Sequence, residues 1–420
     1  MSLQDIYKNA GVVMKPAAMK DGKLYSQQPH SGAGDFNFSR ADGVQTRINK
    51  HGLIETVANN EPRLSYSIVD GKVSDCPHLL LEPSRTNLLT YSEDFSDSIW
   101  TKSGPTLAYN QGISPDGKNN ATKMIPSTSG TSQDIFATAT ASGSTEYTRS
   151  FFAKVDGYSW IYIQQYDGST NRGAWFDLLT GSLGNTETNV ESSIEDFGSG
   201  WYKCSATFTT QSGATSERAQ IRVVGDNGST TFAGNGRDGV LIWGAQVEQG
   251  SYPTSYIPTS GSTETRQAET CNGSGNSETF NDSEGVFYFE FSALADDGTT
   301  RVLTINDSSN QLTERVQLFI LGSSLYARAT DGGVTQGQVI GTPTLTDNNK
   351  VGFKFKENDF ALWVNGVEVD TSSLGTTPSG LDEIRFDAGT GGSPFYGNVR
   401  ELTVINEALT DEQLQLLTTP

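Results

Sequence analysis

Trp160, Tyr162, Gln164 and Tyr166 alternate with Ile161 and Ile163 in the stretch WIYIQQY, and Trp175 and Asp177 alternate with Ala174, Phe176 and Leu178 in AWFDLL. A period of two is the signature of a strand with one buried face, so the isoleucines, Ala174, Phe176 and Leu178 point inward and the other set points outward. Aromatic faces stack on the C–H faces of pyranose rings, while amides and carboxylates address the hydroxyls. Trp160, Tyr162, Gln164, Tyr166, Trp175 and Asp177 are therefore the candidate glycan-binding residues. An outward aromatic row also suits packing by a neighbouring subunit or domain.

No catalytic constellation accompanies this row. His30, His51 and His78 all lie in the first 80 residues and lack the His-x-x-x-His or Glu-x-x-His spacing of a zinc hydrolase. No Gly-x-Ser-x-Gly elbow follows a strand pattern. Cys204, in YKCSATF, shares a face with Tyr202, Ala206 and Phe208 and is expected to be a core thiol. Cys76, Cys204 and Cys271 are too few and too scattered for a disulfide framework or a structural zinc site, so all three are expected as free thiols. With 49 acids in the chain, chance pairs of carboxylates carry no signal for glycoside cleavage, and no regular β-helix repeat is present. A non-enzymatic chain is the expectation, with polysaccharide depolymerase as the alternative.

Composition then constrains the scaffold. A chain of 420 residues is long enough for two or three domains, each with its own core. Only 35% of residues are hydrophobic, while 45 glycines and recurrent Ser, Thr, Asn and Asp suit many short strands joined by tight turns. A net charge of −20 repels phosphate backbones, which argues against nucleic-acid binding. No stretch approaches the ~20 apolar residues of a membrane-spanning helix, and the N-terminus lacks the apolar core of a signal peptide. The expectation is synthesis in a cytoplasm without a signal peptide, and no membrane partner.

Along the chain, residues 1–40 are short of strand patterns and are expected to form an arm ordered against a partner. Residues 41–86 contain short alternating segments separated by Gly and Asn, as in a small hairpin-rich module. Residues 87–260 carry longer alternating runs that predict a first sandwich. Residues 261–284 are rich in Ser, Thr, Gly and Asn and are expected to be a linker. Residues 285–420 predict a second sandwich, with a hairpin turning at Asn365-Gly366 and Trp363 in its core. Thr410 and Gln413 have the spacing of a capping box that starts one short C-terminal helix. The fold class expected is all-β: two antiparallel β-sandwiches, or jelly rolls, behind a small extended, hairpin-rich N-terminal segment. The stretch LLLEPSRTN places the handover between the small module and the first sandwich at Glu82 to Asn87.

Three stretches, DGVQTRINKHGLIETVANNEPRLSYS, CPHLLLEPSRTNLLTYSEDFSDSIWTKSG and LIWGAQVEQGSYPTSYIPTSGSTETRQAE, together resemble a recurrent block of bacteriophage virion proteins of the tail-fibre or head-fibre kind. The resemblance covers roughly residues 36–270. Within it, NLLTYSEDFSDSIW and RDGVLIWGAQVE resemble the first and last strands of jelly-roll carbohydrate-binding modules. That family often holds a structural calcium, which would map here to Glu93 or Asp94 and to Asp238. From about Ser283 to Thr418 the chain resembles the laminin G-like or concanavalin A-like sandwich, on KVGFKFKENDFALWVNGVEVD and FYGNVRELTVINEALTDEQLQLL. The resemblance implies a virion structural protein displayed on the particle surface. It would attach by its N-terminus to capsid or tail proteins, form a homotrimer and present its sandwiches to host-surface or environmental glycans. Pure capsid decoration is a further alternative.

Overall fold

In the computed structural model, which describes residues 2–168 and 171–420, the chain forms two antiparallel β-sandwiches, as the alternating patterns predict. One sheet of the first sandwich runs in the order Thr101–Ser103, Asp134–Thr140, Ser216–Val224, Trp160–Tyr166, Asn171–Asp177, Ser182–Thr186. The other runs Thr106–Ala108, Thr122–Ile125, Gly239–Gln249, Glu146–Asp156, Trp201–Thr209, Val190–Asp196. Alternation sends Ile161, Ile163, Ala174, Phe176, Phe151, Cys204, Ala206, Phe208, Ile221 and Ile242 into one shared core. Cys204 is a buried core thiol, as expected, and burial pushes its pKa up.

Two charged side chains share that core. Arg149 and Glu217 come from opposite sheets, are fully buried and face each other as an ion pair, with the Arg149 guanidinium over the Phe208 ring at 4.2 Å. Nothing in the alternation of their strands distinguishes an inward arginine from an outward one.

The second sandwich corrects the expected segmentation. Residues 1–40 are not a free arm: Ala10–Met14 pairs with Gly397–Ile405, and Phe36–Ser39 pairs with Thr270–Ser274 and with Lys23–Leu24. Val12, Met14, Leu24, Phe36 and Phe38 enter the same core as Phe287, Phe289, Phe353 and Leu402. Residues 261–284 likewise are not a plain linker but contain the strands Glu264–Arg266 and Thr270–Ser274. Thr270–Ser274 sits between Phe36–Ser39 and Glu383–Arg385 and buries Cys271. Runs of two to five residues are too short to show a period, and a Ser/Thr/Gly-rich strand mimics loop composition, so neither segment announced itself. Within residues 41–86 the hairpins are present, Thr46–Ile48 with Ile54–Thr56 and Ile68–Val69 with Lys72–Val73. Leu64–Ser65 and His78–Leu81 nevertheless extend the second sandwich's eight-stranded sheet.

The first sandwich is thus inserted into the second. The chain leaves and returns through a two-stranded ribbon, Arg85–Asn87 against Glu264–Arg266, with Asn87 opposite Glu264. At its base lies a buried charge cluster. Glu269 accepts from Arg40 Nη1 at 2.6 Å and from Arg63 Nε at 2.7 Å, and Glu82 accepts from Arg63 Nη1 at 2.7 Å and from the Ser255 backbone N–H at 2.8 Å. Arg266 approaches Glu82 at 3.2 Å. Arg266 and Arg63 hold the Glu82 carboxyl well below the usual range against the cost of its burial.

Further along the chain, Asn365 and Gly366 both adopt positive φ between paired Val364 and Val367, the two-residue turn expected of Asn-Gly. Asp411–Thr418 forms the C-terminal helix, with the Thr410 hydroxyl accepting from Gln413 N–H and the Gln413 amide oxygen accepting from Thr410 N–H. Its Leu414 and Leu417 pack with Trp363, Tyr288 and Ile405, and with Ile6 of a five-residue helix, Leu3–Tyr7, that the sequence did not signal. Trp363 is buried, beneath these helices on the sheet's outer face rather than between the sheets.

Candidate functional site

The strand Trp160–Tyr166 is one of the two central strands of a six-stranded sheet whose inner face is the core just described. Its register fixes three outward rows across the neighbouring strands. Trp175, Tyr162, Arg222 and Asp134 share one; Gly173, Gln164, Gln220 and Phe136 the next; Asn171, Tyr166, Arg218 and Thr138 the third. The six candidate residues do point away from the core, but they are not equally available.

Tyr162 and Trp175 are 1% and 4% exposed and stack on each other with ring centroids 4.1 Å apart. Loops of the same chain cover them. The Tyr162 hydroxyl donates to Glu187 Oε2 at 3.2 Å, and Trp175 Nε1 donates to the Ser229 carbonyl at 2.6 Å. Gly184, on the edge strand Ser182–Thr186, lets that strand lie close to both rings: a Cβ there would sit 2.7 Å from the Trp160 ring and 2.9 Å from Trp175 Cβ. Burial, then the nearby Glu187 carboxylate, pushes the Tyr162 pKa up. Gln164 is also buried, accepting from Arg222 Nη2 at 2.8 Å. Asp177 accepts from Leu179 N–H at 3.0 Å and Thr180 Oγ1 at 2.9 Å, so it fastens the following turn. As placed, Tyr162, Trp175 and Gln164 cannot stack on or reach a ligand, and Asp177 is occupied. Trp160 is half-buried beside the loop, and Tyr166 remains half-exposed.

What the rows leave uncommitted instead is the half-buried Arg218. Its guanidinium lies 3.9 Å from the Phe136 ring centroid and 5.1 Å from that of Tyr166, clamped between two half-exposed aromatics. Among the described residues it has no ion-pair or hydrogen-bond partner, whereas neighbouring Arg222 is engaged by Gln164, by the Thr230 carbonyl at 3.0 Å and by Asp134 at 3.4 Å. An arginine held between two rings has little side-chain entropy left to lose when its planar fork of donors meets a ligand. Phe136, Arg218 and Gln220 lie in DIFATAT and SERAQIRVV, whose alternation is visible in the sequence. Which strands lie beside Trp160–Tyr166 is not visible there, and the clamp exists only through that pairing.

The calcium candidates separate. Glu93 accepts from Tyr256 Oη at 3.1 Å and Asn120 Nδ2 at 3.2 Å, and burial, with a contribution from Asp116, raises its pKa. Asp94 accepts from Ser96 N–H at 2.9 Å in a local turn. Asp238 is held by Asn235 Nδ2 at 2.7 Å and Arg237 at 3.2 Å. Thr122 pairs with Ile242 and Met124 with Val240, so Asn120 and Asp238 sit at opposite ends of that strand pair. At about 3.3 Å per residue, this places Glu93 and Asp238 too far apart to share an ion. No group of three ligating side chains is found among the described residues. These residues do not fit the calcium site that the resemblance implies.

No protein-family model matches the chain, and no curated protein matches its sequence. Among solved structures, similarity is found to the Ruminococcus gnavus IT-sialidase CBM40 bound to alpha2,3 sialyllactose, at 17% identity and TM-score 0.29, covering 33% of this chain and 84% of that one. The leech intramolecular trans-sialidase matches at 18% identity and TM-score 0.28 over 33% of this chain and 23% of that one. Mouse laminin alpha1 chain domains LG4-5 match at 10% identity and TM-score 0.24, covering 80% of this chain and 96% of that one. At these scores the likenesses assign no function.

Proposed function

We propose that this chain is a non-enzymatic structural protein of a bacteriophage particle that binds host-surface or environmental glycans through the outward sheet face around Arg218. The observation that carries the binding proposal is the Arg218 guanidinium, clamped between Phe136 and Tyr166 and free of any described partner. Aromatic edges on either side and an uncommitted fork of donors suit a sugar ring bearing a carboxylate. Placement on a phage particle, attachment to capsid or tail proteins through the N-terminal segment, and trimeric assembly rest on the sequence resemblance. In such an assembly several weak sites act together, which is how a shallow surface site sustains adhesion.

A glycan array with purified protein tests the reading. Saturable binding to acidic glycans is expected, weakened about tenfold or more by Arg218→Ala, the loss typical of one charge-assisted contact. Trp175→Ala is expected to act on stability instead. Binding that is indifferent to Arg218, or release of reducing ends from host polysaccharide, would overturn the proposal. Sedimentation analysis of the full chain checks the trimer.

A further inference from the structure

A concavity of about 880 Å³ lies on the opposite side of the jelly roll, between the two sandwiches. One wall is the outer face of the sheet that contains Trp201–Thr209. Because Cys204, Ala206 and Phe208 point into the core, Lys203, Ser205 and Thr207 point outward, in register with Glu195, Ser193 and Glu191 on the edge strand. The facing wall brings Tyr66 from the small hairpin module and Asp296 from the second sandwich. This volume is within the range of ligand-binding clefts, and it is lined chiefly by hydroxyls, carboxylates and aromatic rings.

Two independent features indicate what it holds. The first is Ser205, which is 2% exposed, lines the cleft and has an Oγ with no hydrogen-bond partner among the described residues. A buried hydroxyl left unmatched on a cavity wall is costly unless something in the cavity completes it. The second is charge. The bases of the lining are balanced: Arg47 binds Glu55 at 2.8 Å, and Lys203, which donates to the Thr254 carbonyl at 2.5 Å, lies in register with Glu195. Glu146, Glu191 and Asp296 have no described cationic partner. The cleft therefore repels acidic sugars, the opposite preference to the Arg218 face.

We infer that the cleft between the sandwiches is a second glycan site, selective for oligosaccharides of hexosamine with free amines. The ring hydroxyls hydrogen-bond to the serine and threonine rows, Ser205 included, and the ammonium groups pair with Glu191 and Asp296. This site stands apart from the Arg218 face and does not depend on it. Calorimetric titration of the full-length protein with a glucosamine oligomer tests it, with the N-acetylated oligomer and a uronic-acid oligomer as comparisons. Expected are saturable binding of the glucosamine oligomer that weakens with salt, and about tenfold weaker binding of the other two. Glu191→Gln and Asp296→Asn, both at exposed positions, should each weaken it about tenfold. Arg218→Ala should leave it unchanged. No binding by the wild-type protein, or binding that survives both cleft substitutions, would overturn the inference. So would binding lost on Arg218→Ala, which would move the amine-bearing ligand to the outer face.

Discussion

His78 is buried beside Arg400 and Arg63, and burial first, then those two charges, pushes its pKa down to about 3. The unfolded imidazole titrates near 6.5, so between those values the unfolded chain takes up a proton that the folded one refuses. Stability is then fully present above about pH 6.5 and falls as the solution is acidified. Between pH 6.5 and 5 the loss from this residue is about 2 kcal/mol. Glu82, whose pKa is also depressed, adds its own loss only further down, below its unfolded value. Denaturant melts of the wild type and His78→Gln across pH 5 to 7 check this, and a parallel dependence in both would refute it. Within the jelly roll, Glu217→Ala strands the Arg149 charge in a closed core. The expected loss is about 3–5 kcal/mol, while replacing both by apolar residues should recover much of it. Urea titration of the single and double variants measures both.

At the level of strands, what the sequence disclosed depended on length. The seven-residue runs Trp160–Tyr166 and Asn171–Asp177 gave their inward and outward faces correctly, as did the hairpin turning at Asn365-Gly366 and the cap at Thr410. Strands such as Lys23–Leu24 and Arg85–Asn87 exist only because a distant partner completes their hydrogen bonds, and a local pattern contains no record of that partner. The site followed the same rule. Outward direction was legible at Tyr162 and Trp175; the loops that cover them and the strand that delivers Arg218 were not. Deleting residues 1–40 now carries a different expectation from that of a free arm. It removes Val12, Met14, Leu24, Phe36 and Phe38 from the core of the second sandwich. At about 1.5–3 kcal/mol for each large side chain, that loss is as large as the usual net stability of a domain. The truncated chain should be insoluble or unfolded, and soluble truncated protein with a cooperative melt would show these strands to be dispensable.

For the molecule as a whole, insertion of one sandwich into another makes their folding separable in one direction. Asn87 and Glu264 face each other across the ribbon, and paired antiparallel residues lie about 4.5–5.5 Å apart. Excising residues 88–263 and closing the gap with a short glycine-containing turn should leave a second sandwich with a single cooperative thermal transition, followed by circular dichroism. Loss of that transition would mean that packing of Ile54 against Trp201 and Trp243 of the jelly roll is needed to hold the small hairpin module. The same connectivity has a mechanical side. Ala10 lies opposite Ile405 and Met14 opposite Leu402, so a pull between residues 10 and 405 peels one strand from the other a pair at a time. The jelly roll, hung from both strands of its ribbon at one point, lies outside that load path. A tether made at either of these strands would transmit tension through the second sandwich while the face carrying Arg218 stays slack.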